Sequence, residues 1–258
     1  GYRTITVPDR RLKRLQRRLL DEGFARVRLS RDAHGFRKGH SILTNALPHV
    51  GKPMVVNVDI ESFFPNTKYD QIVRACRRLC GGRLSERTTR FVADLCSYGG
   101  ALPTGAPTSP AVGNIVLHDV DRALARAGAR FDISYSRYAD DLTFSGHNRT
   151  HLILPFVEHV LAERGYRLAP DKFNFFRRGR RQMVTGLVVN DKPNLPRRLR
   201  RRLRAAVHHR IRGKMPYWQD RPMGDAELRG RLAFLKLVQP DEALHLLRAV
   251  GASPLSFE

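Results

Sequence analysis

The chain alternates between stretches whose apolar residues recur at every second position and stretches in which they recur every three or four. Residues 53–60, PMVVNVDI, show the two-residue period of a β-strand that ends in a carboxylate at Asp59. Two β-prone runs, FDISYSRY and LTFSG, flank Asp140 and Asp141, and their tight connection predicts a hairpin with these acids at its turn. MVTGLVVN predicts a further strand. Helical periodicity predicts helices over residues 9–22, 68–80, 86–98, 110–127, 150–164, 196–212 and 225–248.

The order of these elements predicts the fold class. Strand, helix, helix, strand, strand, helix, strand is typical of an α+β layer and not of a doubly wound parallel sheet. The chain has 258 residues and is 41% hydrophobic, which suits one large domain or two to three packed subdomains. No run of 18 apolar residues and no charged-then-apolar leader occurs, so we expect a cytoplasmic protein with no membrane partner. Gly1, Tyr2 and Arg3 fit the middle of a strand, and we expect an earlier segment before them.

Positive charge is concentrated near one end of the chain. The net charge is +23, and residues 172–214 hold 15 lysines or arginines against one acid, giving +14. Nucleic acid is the first candidate for the polyanion that such a field attracts; an anionic membrane surface and simple solubility are the alternatives. The segment RRLRRRLRAAVHHRI predicts a helix with a cationic outer face and one apolar stripe. This stripe consists of Leu199, Leu203, Val207 and Ile211.

The aspartates at the strand ends are candidate metal ligands. An adjacent Asp-Asp pair alone means little, since 16 aspartates in this chain predict about one such pair by chance. If the strands are neighbours, however, Asp59 meets Asp140 and Asp141, and three clustered carboxylates require cations. Oxygen ligands suit Mg²⁺, and two ions about 3.5–4 Å apart are the arrangement used for phosphoryl transfer. A basic chain with one acidic cluster therefore indicates a polymerase or nuclease.

Five ordered motifs resemble one known family. NVDIESFFP, LPTGAPTSPAVGN and RYADDLTFSG are similar to three palm motifs of reverse transcriptases. NALPH at residues 45–49 resembles the NAxxH element of bacterial retron reverse transcriptases, and residues 184–186 resemble the VTG element of the same group. HGFRKGHSI, residues 34–42, is similar to the segment that precedes their palm.

The resemblance covers nearly the whole chain and implies a right-hand polymerase with a ferredoxin-like palm. Residues 1–52 would be partial fingers, 53–190 the palm with finger insertions, and 191–258 a helical thumb. It implies an RNA-directed DNA polymerase that copies a cognate structured noncoding RNA from an RNA 2′-hydroxyl, giving branched RNA-DNA (msDNA). The implied partners are this RNA template and its cDNA, deoxynucleoside triphosphates and an effector protein in anti-phage defence. A group II intron-like enzyme and a catalytically silent RNA-binding scaffold are the alternatives.

The resemblance also implies roles for residues at the catalytic centre. Asp59, Asp140 and Asp141 fall on the metal-binding triad, with the Ile60 carbonyl as a further ligand, and would hold two Mg²⁺ ions. Lys172, in a DK dipeptide, falls where a lysine could protonate pyrophosphate as it leaves. It could equally be one more cation facing a phosphate.

The implied nucleotide-binding residues come from three motifs. Arg3 matches a fingers arginine that clamps the triphosphate. Phe64 falls where a bulky side chain excludes a ribose 2′-hydroxyl, although Phe63 could be the gate and Phe64 a core residue. Thr104 stands where relatives usually carry Gln, which leaves the nucleotide contacts there open. Gly105 and Ala106 are expected to let the backbone approach the nucleotide closely, glycine because it has no Cβ.

The expected RNA-binding residues belong to the two retron-like elements and to the basic helix. The residues of the two retron-like elements could instead be structural. His49 could be a histidine with satisfied hydrogen bonds, Asn45 an amide that braces a loop, and residues 184–186 ordinary strand residues. The arginines are expected to contact phosphates, which provide affinity without sequence information. The residues are Asn45, His49, Val184, Thr185, Gly186, Arg197, Arg200, Arg201 and Arg204.

Overall fold

Four antiparallel strands form the central sheet of the computed structural model, which describes residues 5–251. The strands are β1 (Met54–Asp59), β2 (Ser134–Tyr138), β3 (Asp141–Gly146) and β4 (Asn174–Arg177). Their order is β2-β3-β1-β4, and every neighbouring pair is antiparallel. Helices connect β1 to β2 and β3 to β4, so the mixed helix and sheet class predicted from the element order is confirmed.

Helices make up a large share of the remaining described residues. They are α1 (Arg10–Arg18), α2 (Ile42–Ala46), α3 (Phe63–Asn66), α4 (Tyr69–Cys76), α5 (Glu86–Cys96), α6 (Ser109–Val116), α7 (His118–Arg130), α8 (Leu154–Ala162), α9 (Arg197–Ile211), α10 (Asp225–Lys236) and α11 (Pro240–Gly251). Two short hairpins join them: β5 (Met183–Val184) with β6 (Leu187–Val188), and β7 (Tyr217–Trp218) with β8 (Arg221–Pro222). None of the helices in residues 5–251 is long and apolar enough to cross a membrane.

The two faces of the sheet have different chemistry. Val56 and Val58 of β1 point with Phe144 of β3 into an apolar cluster that includes Leu124 of α7 and Val157 of α8. On the opposite face the register pairs polar residues of β1 and β3, Asn57 with Thr143 and Asp59 with Asp141. Alternation along both strands therefore buries one face under helices and directs carboxylates and hydroxyls to the other.

Two further apolar clusters hold the parts of the chain outside the sheet. One packs α2 and the β5–β6 hairpin against α9, α10 and α11. The other packs α4, α5 and α6 around Phe24, which is 2% exposed. The short helix α2 lies more than 150 residues before the C-terminal helices, so its place in their cluster is a long-range contact.

Several predicted elements have different limits in the structure. The helix expected over 110–127 is two helices that meet at Leu117, and MVTGLVVN is the β5–β6 hairpin, not one strand. The turn of this hairpin breaks the strand because Thr185 and Gly186 both have positive φ. The apolar stripe of α9 is shorter than predicted, since Ile211 is 46% exposed.

Candidate active site

The three aspartates come together at one end of the sheet. β1 and β3 are paired so that Asp59 lies opposite Asp141, and the β2–β3 turn places Asp140 next to them. The turn requires a left-handed backbone at Ala139, whose φ is 59°. The backbone N–H of Ile60 donates to the carbonyl of Asp140 at 2.9 Å, which ties the turn to the end of β1.

The carboxylates affect one another's ionisation. Burial, followed by the nearby charges of Asp59 and Asp140, raises the pKa of Asp141 to about 7. Lys172 opposes this rise, and its Nζ lies 3.2 Å from Oδ2 of Asp59. A raised pKa under like-charge repulsion means that the site is short of positive charge.

The carboxylate oxygens of this site suit Mg²⁺, but the side chains alone do not form a complete coordination shell. Within residues 5–251, no three acidic, histidine or cysteine side chains gather closely enough to form a ready-made metal site. Mg²⁺ typically binds through one or two carboxylates and completes its shell with waters and substrate phosphates. Such an ion would bind to these oxygens and would relieve the charge repulsion that contributes to the raised pKa of Asp141. The residues therefore fit a divalent cation whose coordination shell is completed by substrate. Lys172 lies beside Asp59, one of the carboxylates that would bind it.

A buried arginine braces the catalytic hairpin, and sequence analysis missed it. Arg137 of β2 is completely buried and makes two charge-assisted hydrogen bonds to Asp121 of α7, at 2.7 and 2.8 Å. Its Nη1 also donates to the carbonyl of Ala139 at 2.7 Å and to Oδ1 of Asn114 at 3.0 Å. These bonds hold the strained turn residue that precedes Asp140. The one signal in the sequence was a charged residue inside a β-prone run.

The two phenylalanines after β1 have different environments. Phe63 is 4% exposed, and its ring packs at 5.5 Å from that of Tyr166 and against Gly113, where an added Cβ would lie 2.8 Å from the ring. Phe64 is only partly buried. Phe63 is thus the core residue of the pair, and the assignment of Phe64 as the sugar gate stays a prediction.

The loop before α6 contacts the first described residues of the chain. A Cβ on Gly105 would lie 2.6 Å from the carbonyl oxygen of Thr6, and the Gly105 N–H donates to this oxygen. The Thr6 N–H donates to Oγ1 of Thr104 at 3.4 Å. The lack of a side chain at Gly105 makes room for the chain's own backbone at Thr6. The expected approach of a nucleotide to Gly105 stays a prediction. Ala106 is 5% exposed. Arg3, the expected triphosphate clamp, lies outside the described residues.

The NALPH element is interior, which corrects its assignment as an RNA contact. His49 is 0% exposed, and its ring nitrogens lie 2.6 Å from Ser145 Oγ and 2.7 Å from Ser136 Oγ. It thereby joins β2 to β3 on the face of the sheet that carries Asp141, and burial lowers its pKa to about 3. Asn45 is also 0% exposed, and both polar atoms of its side-chain amide lack a hydrogen-bond partner within residues 5–251. Neither side chain has surface to offer to RNA, and His49 acts as a support between β2 and β3.

The VTG element is the turn that covers α2. Val184 is 0% exposed and belongs to the apolar cluster, so its assignment as an RNA contact is wrong for the same reason. Thr185 and Gly186 have φ values of 44° and 83°, and Thr185 Oγ1 donates to the carbonyl of Ile42 at 3.3 Å. A β-branched residue in the left-handed region is strained. The two retron-like elements thus form one unit whose outer surface is the turn itself.

The arginines of α9 divide into two groups. Arg200 donates twice to Oε2 of Glu242, at 2.6 and 3.0 Å, and Arg204 lies 3.8 Å from the other oxygen of this carboxylate. Arg197 and Arg201 are exposed, and no acidic partner lies near them within residues 5–251. Glu242 on α11 therefore neutralises much of the charge that sequence analysis assigned to RNA phosphates at Arg200.

Comparisons with known proteins agree with this geometry. A family model for reverse transcriptase (RNA-dependent DNA polymerase) matches residues 1–189. The retron Mx65 and Mx162 reverse transcriptases of Myxococcus xanthus are each 37% identical to this chain. Their alignments cover 96% and 92% of it, and 61% and 55% of the relatives. The retron Ec86 reverse transcriptase of Escherichia coli is 33% identical over 82% of this chain and 66% of its own.

The chain therefore spans about 55–66% of the length of these three relatives. Among solved structures, apo telomerase from Candida tropicalis overlaps 72% of this chain and 44% of its own, with a TM-score of 0.48 and 12% identity. The family match covers most of the chain and contains all three carboxylates of the site. This chain belongs to the reverse transcriptase family, among the bacterial retron reverse transcriptases.

Proposed function

We propose that the chain is the polymerase part of a cytoplasmic RNA-directed DNA polymerase. The observation that carries this proposal is the pairing of Asp59 with Asp141 across β1 and β3, with Asp140 at the adjoining turn. A site of this kind on a chain with net charge +23 combines metal ligands with attraction for a polyanion. The presence of all three acids counts against the alternative of a catalytically silent scaffold.

The proposed catalytic roles follow from these positions. Asp59, Asp140 and Asp141, with the carbonyl of Ile60, would hold two Mg²⁺ ions, which when bound stabilise the charges on the attacking and leaving oxygens. Lys172 lies beside Asp59 and can donate a proton to the departing pyrophosphate.

The nucleotide-binding roles rest on partial exposure and position. Phe64 would exclude a ribose 2′-hydroxyl, because it is the less buried member of its pair. Thr104 and Gly105 would border the nucleotide together with Arg3. Thr6, three residues after Arg3, bonds to both loop residues, which supports this grouping.

The retron role is the finer part of the proposal. We assign residues 1–52 to fingers, 53–190 to a ferredoxin-like palm and 191–258 to thumb. The cognate template would be a structured noncoding RNA primed from its own 2′-hydroxyl, giving msDNA, with an effector protein in anti-phage defence. The names of the matched relatives support this assignment, and so does the unit formed by α2 and the Thr185-Gly186 turn. Arg197 and Arg201 would bind RNA phosphates beside this unit.

Replacing Asp140 by Asn tests the polymerase proposal. The change keeps the shape of the side chain and removes one negative charge from the site, so primed DNA synthesis should fall by several orders of magnitude. RNA binding in titrations without Mg²⁺ should stay within about twofold of the wild type, because the basic surface is unchanged. Asp132→Asn is the matched control, since Asp132 is exposed and Asn tolerates its φ of 52°. Synthesis by Asp140→Asn at the rate of the control would refute the assignment of the triad.

A further inference from the structure

A groove of about 1100 Å³ lies between residues 24–38 and the helices α6 and α7, outside the carboxylate site. None of the three catalytic aspartates lines it. Phe24 contributes to its apolar floor and is 2% exposed. Its helical wall includes three small residues: Ala111, Ala125 and Ala129.

Cations surround this side groove. Six exposed ones line it: Arg28, Arg31, Lys38, Arg78, Arg122 and Arg126. Within residues 5–251, only Arg31 among these six has a carboxylate within 4 Å, that of Asp32 at 3.7 Å. Cations without acidic partners on the walls of a concave surface concentrate positive potential and attract polyanions. The ligand class indicated by the charge is therefore a chain of phosphates.

An exposed aromatic ring lines the side groove. Phe36 is 57% exposed and has a φ of 56°, a conformation that bulky residues adopt only under constraint. The preceding residue, Gly35, lies against the catalytic hairpin, since a Cβ on it would lie 2.5 Å from the backbone nitrogen of Ala139. The Phe36 ring lies 6.3 Å from that of Tyr138, two residues before Asp140. An aromatic ring among cations is the arrangement on which unpaired bases stack, and here it adjoins the catalytic hairpin.

The wall that carries Phe36 is fixed in advance. The His34 N–H donates to the carbonyl of Arg137 at 2.7 Å, and the Arg137 N–H donates to the carbonyl of Asp32 at 2.8 Å. The guanidinium of Arg37 donates to the carbonyls of Ser30 and Ala33. A surface held in its binding shape loses little conformational entropy when a ligand binds.

We infer that the side groove binds single-stranded nucleic acid, with phosphates on its arginines and a base on Phe36. A duplex does not fit this chemistry, because paired bases are not free to stack on a side chain. RNA and DNA share the required backbone and bases, so both are tested. The inference rests on the proposed function only in expecting single-stranded RNA or DNA near the catalytic hairpin. Binding can be measured without catalysis.

The test compares double variants with equal loss of charge. Arg122→Gln/Arg126→Gln removes two cations from the side groove. Arg10→Gln/Arg14→Gln removes two exposed cations at the same spacing on α1, away from it. The probes are fluorescently labelled ten-residue oligo(rU) and oligo(dT), titrated by anisotropy over a salt series without Mg²⁺. The side-groove variant should reduce the slope of log K against log salt by about 1.4, or 0.7 for each phosphate contact. The control should keep the wild-type slope.

Phe36→Gly tests the stacking ring separately. Glycine accepts the positive φ, so the backbone is kept while the ring is removed. Binding should weaken about 5- to 150-fold, the loss expected for one stacked base. Thermal unfolding checks that the variant is folded.

The outcomes distinguish RNA binding from DNA binding, and they distinguish failure of the side-groove proposal from failure of the proposed function. A loss on oligo(rU) alone assigns the side groove to RNA, a loss on oligo(dT) alone assigns it to DNA, and a loss on both assigns it to either strand. Arginine variants with the control's slope on both probes would overturn the inference, as would undiminished binding by folded Phe36→Gly. Protein that binds as expected but synthesises no DNA would refute the proposed function and leave the side groove assigned.

Discussion

His49 gives the most direct measure of whether the NALPH element supports the hairpin or touches RNA. The imidazole has no exposed surface and bridges Ser136 of β2 and Ser145 of β3. Burial, followed by the charges of His34 and Lys52, lowers its pKa to about 3. In the unfolded chain the same ring has an ordinary pKa of about 6.5. The folded protein therefore contains a neutral histidine over a pH range in which the unfolded chain binds a proton.

This difference fixes the sign of the pH dependence. Because the pKa of this base is depressed on folding, its full stabilising contribution is present above pH 6.5 and is lost as the pH falls toward 3. Lowering the pH from 7.5 to 5.5 should cost about 1.4 kcal/mol of unfolding free energy through His49 alone. His49→Gln removes this titration. At pH 7.5 it should cost about 1 kcal/mol, because glutamine can keep one of the two serine hydrogen bonds.

The assay is urea unfolding followed by circular dichroism at both pH values, with RNA titrations at pH 7.5. His245→Gln makes the same substitution at an exposed position and serves as the control. The pH-dependent loss in His49→Gln should be smaller than that in the wild type and the control by about 1.4 kcal/mol. RNA affinity should be unchanged. Equal losses in all three proteins, or a selective loss of RNA binding by His49→Gln, would refute the structural role.

Two other residues give sharp tests. Phe64→Val should raise ribonucleotide incorporation relative to deoxyribonucleotide in single-nucleotide extension, because it opens space where a 2′-oxygen would lie; unchanged discrimination would move the gate elsewhere. Arg137→Met leaves the carboxylate of Asp121 buried without its ion pair and should lower the unfolding free energy in urea by about 3–5 kcal/mol. A loss below about 1 kcal/mol would mean that Arg137 does not brace the hairpin.

The carboxylate site was the most predictable part of this protein. Asp59 ends a strand with a clear two-residue period, and Asp140 and Asp141 sit between two short β-prone runs. Strand alternation and turn formation depend on neighbours in the chain, so local sequence determines them. The structure confirmed the strand and the hairpin, and the register that aligns Asp59 with Asp141 follows once the two strands pair. The order of the elements likewise determined the fold class.

The environments of the polar side chains were decided by tertiary structure alone. His49 is satisfied by serines 87 and 96 residues away, and Arg200 is held by Glu242, 42 residues away. Gly105 has no room for a side chain because Thr6, 99 positions earlier in the chain, lies against it. Hydrophobic periodicity predicts which face of an element is buried. The local sequence does not show whether a histidine or an arginine contacts RNA or a distant residue of the same chain. Only the packing of remote segments distinguishes the two, since burial and pairing are properties of the folded contacts and not of the local pattern.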